Sequence, residues 1–175
     1  MKVLVAYATF AGATAEVAEA VGQELAAGRS VEVQVRRAKE VAGLASYDAV
    51  VVGSAIRAGQ VHPEALAFLE ANAAALARVP VAYFVVCLTM KEPTEENRCT
   101  VAAYLDAVRE KVPAVQPVEV GLFAGVMDPK KLPLVARLIM KAMKAPPGDF
   151  RDWDAIRAWA QSLRAKLVGV EAPGA

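Results

Sequence analysis

Five short apolar runs alternate with longer stretches of helical periodicity, and this rhythm constrains the chain more than any other feature. The runs are Val3–Ala8, Val31–Val35, Ala49–Gly53, Val79–Leu88 and Val118–Val126. Most are apolar without a break, the pattern of strands buried on both faces of a parallel sheet. Only Val31-Glu32-Val33-Gln34-Val35 alternates cleanly, which predicts an edge strand with one face toward water. Thr14–Ala27 repeats Val17, Val21 and Leu25 before Gly28, a helix with its stop signal. Pro63–Leu76 opens with Pro and Glu, and Thr94–Lys111 with a capping Thr and two Glu, residues suited to helix N-termini. Asp152–Leu167 puts Trp153, Ile156, Trp159, Ala160, Leu163 and Leu167 on one stripe. Ala38–Ser46 has room for little more than two turns of helix. The expected fold is α/β, a doubly wound five-stranded parallel sheet with helices on both faces. Ligands of such sheets sit outside the carboxyl ends of the strands, where the strand order reverses. That singles out the loops Thr9–Thr14, Ser54–His62 and Leu88–Asn97, and the stretch after Val126.

A length of 175 residues predicts one domain, over 1–168, with a frayed tail at 169–175. At 56% hydrophobic and 22% charged residues the chain has enough apolar surface to offset the entropy of ordering, which excludes a disordered protein. A net charge of +1 argues against a dedicated nucleic-acid binder. Cys87 and Cys99 suit neither a disulfide scaffold nor a CxxC zinc site, and a lone histidine, His62, makes a His-rich metal centre impossible. No metal is expected. The longest strongly apolar uncharged run lies between Arg78 and Lys91, well short of the ~20 residues of a membrane span. The start, Met1-Lys2-Val3-Leu4, lacks the apolar region of a secretory signal, so a cytoplasmic protein with reduced thiols is expected.

The chemistry lies in the first loop. Thr9-Phe10-Ala11-Gly12-Ala13-Thr14 leads from strand to helix and contains neither GxGxxG nor GxxxxGK[ST]. It offers hydroxyls at Thr9 and Thr14 around small residues whose amides can approach an anion at a helix N-terminus. With no Lys or Arg, such a nest suits a phosphate monoester; the plain alternative is a tight turn with a Thr cap. A phosphorelay receiver domain is excluded, because it needs acids where Tyr7-Ala8-Thr9 and Gly53-Ser54 stand.

Tyr7, Thr9, Gly12, Thr14, Ala18 and Val21 fill the places of the flavodoxin signature, and the chain resembles that family. The resemblance implies a sheet order 2-1-3-4-5 and flavin mononucleotide (FMN), with its phosphate on Thr9, Phe10, Ala11, Gly12, Ala13 and Thr14. Gly53-Ser54-Ala55-Ile56-Arg57, the loop at Cys87-Leu88-Thr89, Gly121-Leu122-Phe123-Ala124-Gly125 and Leu138-Ile139-Met140-Lys141 are similar to the menaquinone-dependent protoporphyrinogen oxidase branch. By that similarity Ser54, Ala55, Ile56, Arg57, Ala58 and Gly59 line one side of the flavin ring. Leu88, Thr89 and Met90 line the other. Neither loop carries the Trp or Tyr that flavodoxin carriers stack on the ring, which leaves space for a second planar molecule. The resemblance implies an FMN-dependent enzyme of heme biosynthesis, passing two electrons from an organic substrate such as protoporphyrinogen IX to a quinone. A flavodoxin-like single-electron carrier is the alternative. Carriers are typically acidic, unlike this chain.

Arg57 is the one catalytic candidate: it either neutralises a reduced flavin, binds a substrate carboxylate, or is a solvated loop cation. His62 reads as a helix-entry residue, Cys87 as packing, and Trp153 and Trp159 as core. Pro129–Gly148 is a basic amphipathic insert without an acid, carrying Lys130, Arg137, Lys141 and Lys144 on one side. It either docks on its own domain, the commoner outcome, or lies on an anionic membrane at the inner face. Expected partners are therefore a quinone and a small organic substrate, with no nucleic acid; peripheral membrane contact and a homo-oligomer stay open.

Overall fold

The computed structural model describes residues 1–27, 31–131 and 147–169. Its parallel sheet is built from β1 (Lys2–Ala8), β2 (Glu32–Arg37), β3 (Ala49–Arg57), β5 (Val81–Cys87) and β6 (Pro117–Ala124). The spatial order β2-β1-β3-β5-β6 is the expected 2-1-3-4-5 of the five long strands. A short β4 (Gln60–Val61) turns back antiparallel on the end of β3, pairing Ile56 with Val61 and Arg57 with Gln60. In-register pairs such as Val5 with Val51 and Val51 with Ala82 show why the runs are apolar throughout: both of their faces are covered. β2 is the partly exposed edge strand that its alternation predicts.

Helices α1 (Ala13–Ala26) and α6 (Trp153–Gly169) cover one face. Their stripes, including Val17, Val21, Ile156 and Leu163, bury against Val3, Val51, Phe84 and Phe123. Helices α2 (Pro63–Ala71), α3 (Ala73–Leu76), α4 (Glu95–Ala103) and α5 (Asp106–Lys111) cover the other, with Phe68, Leu76, Val101 and Val108 against Leu4, Val50 and Val85. Each such large side chain contributes about 1.5–3 kcal/mol by leaving water.

Two helices that the periodicity predicts as continuous are broken. Asn72 interrupts Pro63–Leu76 by leaving helical geometry at φ −113°, ψ 12°, and the Phe68 carbonyl accepts from both its backbone amide at 3.1 Å and its side-chain amide at 2.8 Å. Thr94–Lys111 breaks at Tyr104 and Leu105, whose amides bond three residues back, to Val101 and Ala102. Ala38–Ser46 yields only one 3-10 turn, Ala38–Glu40. The last helix continues to Gly169, past the expected Leu167. After β6, strand β7 (Val126–Met127) pairs antiparallel with β8 (Gly148–Asp149), and a 3-10 turn spans Pro129–Lys131. Most of the expected basic insert, 132–146, and the tail from 170 lie outside the described residues.

Candidate functional site

The carboxyl ends of β1, β3, β5 and β6 open into a cavity of about 730 Å³. This falls within the ~300–1,000 Å³ of small-molecule sites. Thr9, Phe10, Ala11, Ala13 and Thr14 form one wall, Ala55–Gly59 the next, and Leu88 and Thr89 another. These sequence-predicted residues therefore meet in one place. Gly12, Ser54 and Met90 do not line the cavity; they shape its walls from behind.

The first loop is held by itself. The Gly12 amide donates to Thr9 Oγ1 at 2.9 Å, and Gly12 adopts φ 97°, a left-handed conformation that glycine takes without strain. The Gly12 carbonyl accepts from the Ala15 and Glu16 amides. The Ala13 and Thr14 amides, at the first turn of α1, have no intrahelical acceptor and face outward. Thr14 is 1% exposed, yet its hydroxyl makes no hydrogen bond among the described residues, and it borders the cavity. Unspent amides plus a hydroxyl at a positive helix end are donors without an acceptor, which fits a phosphate.

The second wall rests on a strained hairpin. Ala58 and Gly59 both have positive φ, 50° and 73°, as a two-residue turn between twisted strands requires. A Cβ on Gly59 would lie 3.2 Å from the Tyr104 ring, so glycine is needed there for space as well. Behind the turn, Ser54 Oγ donates to the Ala55 carbonyl and accepts from the His62 amide, both at 2.9 Å. Buried His62 caps α2, its Nδ1 accepting from the Glu64 amide at 3.1 Å. Burial lowers its pKa below the usual value; Glu64 opposes this, while Arg37 and Arg57 add to it. The His62 ring lies tilted by 41° against Phe10 with centroids 4.1 Å apart, and the Arg57 guanidinium carbon lies 3.8 Å from the Phe10 ring centre.

Residues that the sequence did not single out complete the cavity. Tyr104 enters at the break between α4 and α5, so an aromatic does reach the site although neither flanking loop carries a Trp or Tyr. The one signal for it was a polar-tipped aromatic amid alanines and valines. Gly125–Asp128, to which the sequence does point through the Gly121–Gly125 motif and the stretch after Val126, line it too, as do Glu16 and Arg151. Arg151 donates through Nε to Asp149 at 2.8 Å and through Nη1 to Glu16 at 2.7 Å, and sits 4.4 Å from the Trp153 ring centre. Its hydrogen bonds with Asp149 hold the Asp149 carboxyl below the usual carboxylate range. Cys87 borders the cavity, but burial pushes its thiol up, against bonds with Met90 and Thr89. It is not an activated nucleophile. Trp159 packs edge-on to Phe123, in the core as expected.

A doubly wound sheet with the order 2-1-3-4-5, opening at β1 and β3 onto a glycine-hinged, uncharged anion cradle, defines a flavodoxin-like protein. The model of the flavodoxin domain family matches residues 4–154, and the chain belongs to that family. A protoporphyrinogen IX dehydrogenase [quinone] of Leishmania major is 26% identical over 180 residues, covering 97% of this chain and 77% of its own. Among solved structures, a flavodoxin from the domain Archaea superposes with a TM-score of 0.58 at 20% identity, covering 96% of this chain and 99% of its own. An apo NADH:FMN oxidoreductase gives 0.59 at 12% identity, covering 95% and 89%. Fold and relatives support FMN as the cofactor, and the donors at Ala13 and Thr14 fit its phosphate. No helix among the described residues is long and apolar enough to cross a membrane.

Proposed function

We propose that the protein is an FMN-dependent oxidoreductase that takes two electrons from an organic substrate, protoporphyrinogen IX in the reading its relative favours, and delivers them to a quinone. Bound FMN supplies a reversible two-electron acceptor. The amides and hydroxyls of Thr9–Thr14 hold its phosphate, and Ala55–Gly59 and Leu88–Thr89 flank its ring. Ser54 and Gly12 act one step back, fixing the turns that present those groups. Each cycle removes two hydrogens from the substrate and converts quinone to quinol with two electrons and two protons.

The observation that carries this reading is the form of the cavity. It joins an uncharged anion cradle to an opening bordered by Phe10 and Leu88, which are 40% and 38% exposed. Such an opening suits a planar apolar molecule better than the charged docking face of a protein-to-protein carrier. The test is anaerobic spectroscopy of the FMN-loaded protein. Protoporphyrinogen IX is expected to bleach the flavin band, and menadione to restore it. A bound flavin that protoporphyrinogen leaves oxidised points to the one-electron carrier instead.

A further inference from the structure

Two arginines border the cavity, and only one of them is committed. The Arg151 side chain is 7% exposed and bonded to both Glu16 and Asp149. Arg57 has no carboxylate within ion-pair distance among the described residues. Its guanidinium is held only against Phe10, at 3.8 Å. It stands at the tip of a hairpin whose turn keeps Ala58 at φ 50°, a conformation costly for a residue with a Cβ. Phe10 in turn is backed at 4.1 Å by His62, itself pinned by Ser54 and Glu64. The result is an exposed apolar ring with a cation over it, lining the same cavity as the exposed Leu88.

From this arrangement we propose that Arg57 and Phe10 form the specificity site for the substrate, selecting a planar apolar ring system that carries a carboxylate. The exposed part of the Phe10 ring, which already carries His62 and Arg57, supplies apolar contact, and Arg57 supplies the ion pair at the mouth. A stacked guanidinium can turn to a carboxylate while keeping its face on the ring, because its donors lie in its own plane. Among the described cavity-lining residues Glu16 is paired with Arg151 and Asp128 accepts from the Lys130 amide, and Arg57 is the cation with no carboxylate beside it. The inference rests on the oxidoreductase reading for the word substrate. The binding site itself does not need turnover to be observed.

The experiment titrates the FMN-loaded protein with protoporphyrin IX and with its dimethyl ester in a non-ionic detergent, following quenching of porphyrin fluorescence. The free acid is expected to bind about 5- to 10-fold more tightly than the ester, as one partly desolvated charge pair allows. Added salt should narrow the preference. In Arg57→Gln the preference should fall to about one and Arg57→Lys should recover part of it, with FMN affinity measured separately by flavin fluorescence so that every titration starts from fully loaded protein. Phe10→Ala should weaken acid and ester alike. An unchanged preference in Arg57→Gln, equal binding of acid and ester by the unmodified protein, or no porphyrin binding at all overturns the proposal. So does a large loss of FMN affinity in Arg57→Gln, which assigns the arginine to the cofactor. Selective acid binding without reduction of the flavin by protoporphyrinogen overturns the enzymatic reading and leaves this site standing.

Discussion

The cavity has two arginine-bearing walls built on opposite principles. On the α1 side, Arg151 joins Glu16 to Asp149 and lies against Trp153, so its donors are spent and its position fixed. At the mouth, Arg57 touches one aromatic face and has no acidic partner among the described residues. The first is architecture: it fastens the β7–β8 ribbon to the helix that carries the anion cradle. The second is the wall where we propose that a group from outside is received. Counting cavity-lining cations would treat them alike; counting their unsatisfied donors separates them.

The largest expected effect breaks the fastened wall. Arg151→Met leaves the Glu16 and Asp149 carboxylates facing each other and should cost about 3 kcal/mol in urea unfolding, at the low end for an interrupted ion-pair network because both carboxylates are partly hydrated. Next comes the cradle beside it. Thr14→Ala should weaken FMN by about 1–3 kcal/mol in a fluorescence titration if its hydroxyl donates to the phosphate, with a smaller change in the melting curve of the unloaded protein. A smaller effect follows from pH. Asp149 has its folded pKa depressed by Arg151, so the pair adds stability above the unfolded carboxyl value of about 3.9 and loses it as pH falls through the lower folded value. Acid unfolding of Asp149→Asn should therefore show a shallower pH dependence below about pH 4. The smallest effect is at the open wall: Arg57→Gln should change stability by less than about 0.5 kcal/mol, as for a surface residue without a partner. A cost as large as that of Arg151→Met would erase the contrast.

What the sequence disclosed follows the same division. The strands and their order were legible because burial on both faces writes itself as uninterrupted apolar runs, and the turn that carries Thr9–Thr14 into α1 was legible because its residues are neighbours in the chain. The helix breaks were not, since they depend on the backbone leaving helical geometry at Asn72 and on the chain bending at Tyr104. Nor was the Arg151–Glu16 pair, whose members are 135 residues apart and whose meeting is decided by how α6 lies on α1. Ser54 was singled out as a wall residue, but its hydroxyl is turned inward to the Ala55 carbonyl and the His62 amide, an orientation that periodicity does not encode.

The pairing of Glu16 with Arg151 also bears on how the protein is made. The cradle leaves the ribosome well ahead of the arginine that secures its neighbouring wall, since Glu16 and Arg151 are 135 residues apart, and ahead of the helix behind it. A nascent chain thus exposes the anion loop long before its enclosure exists, and domains generally fold as units once their sequence is available. Cofactor capture should accordingly wait for Arg151 and α6, and a chain ending before Arg151 should lose it even though the Thr9–Thr14 loop is intact.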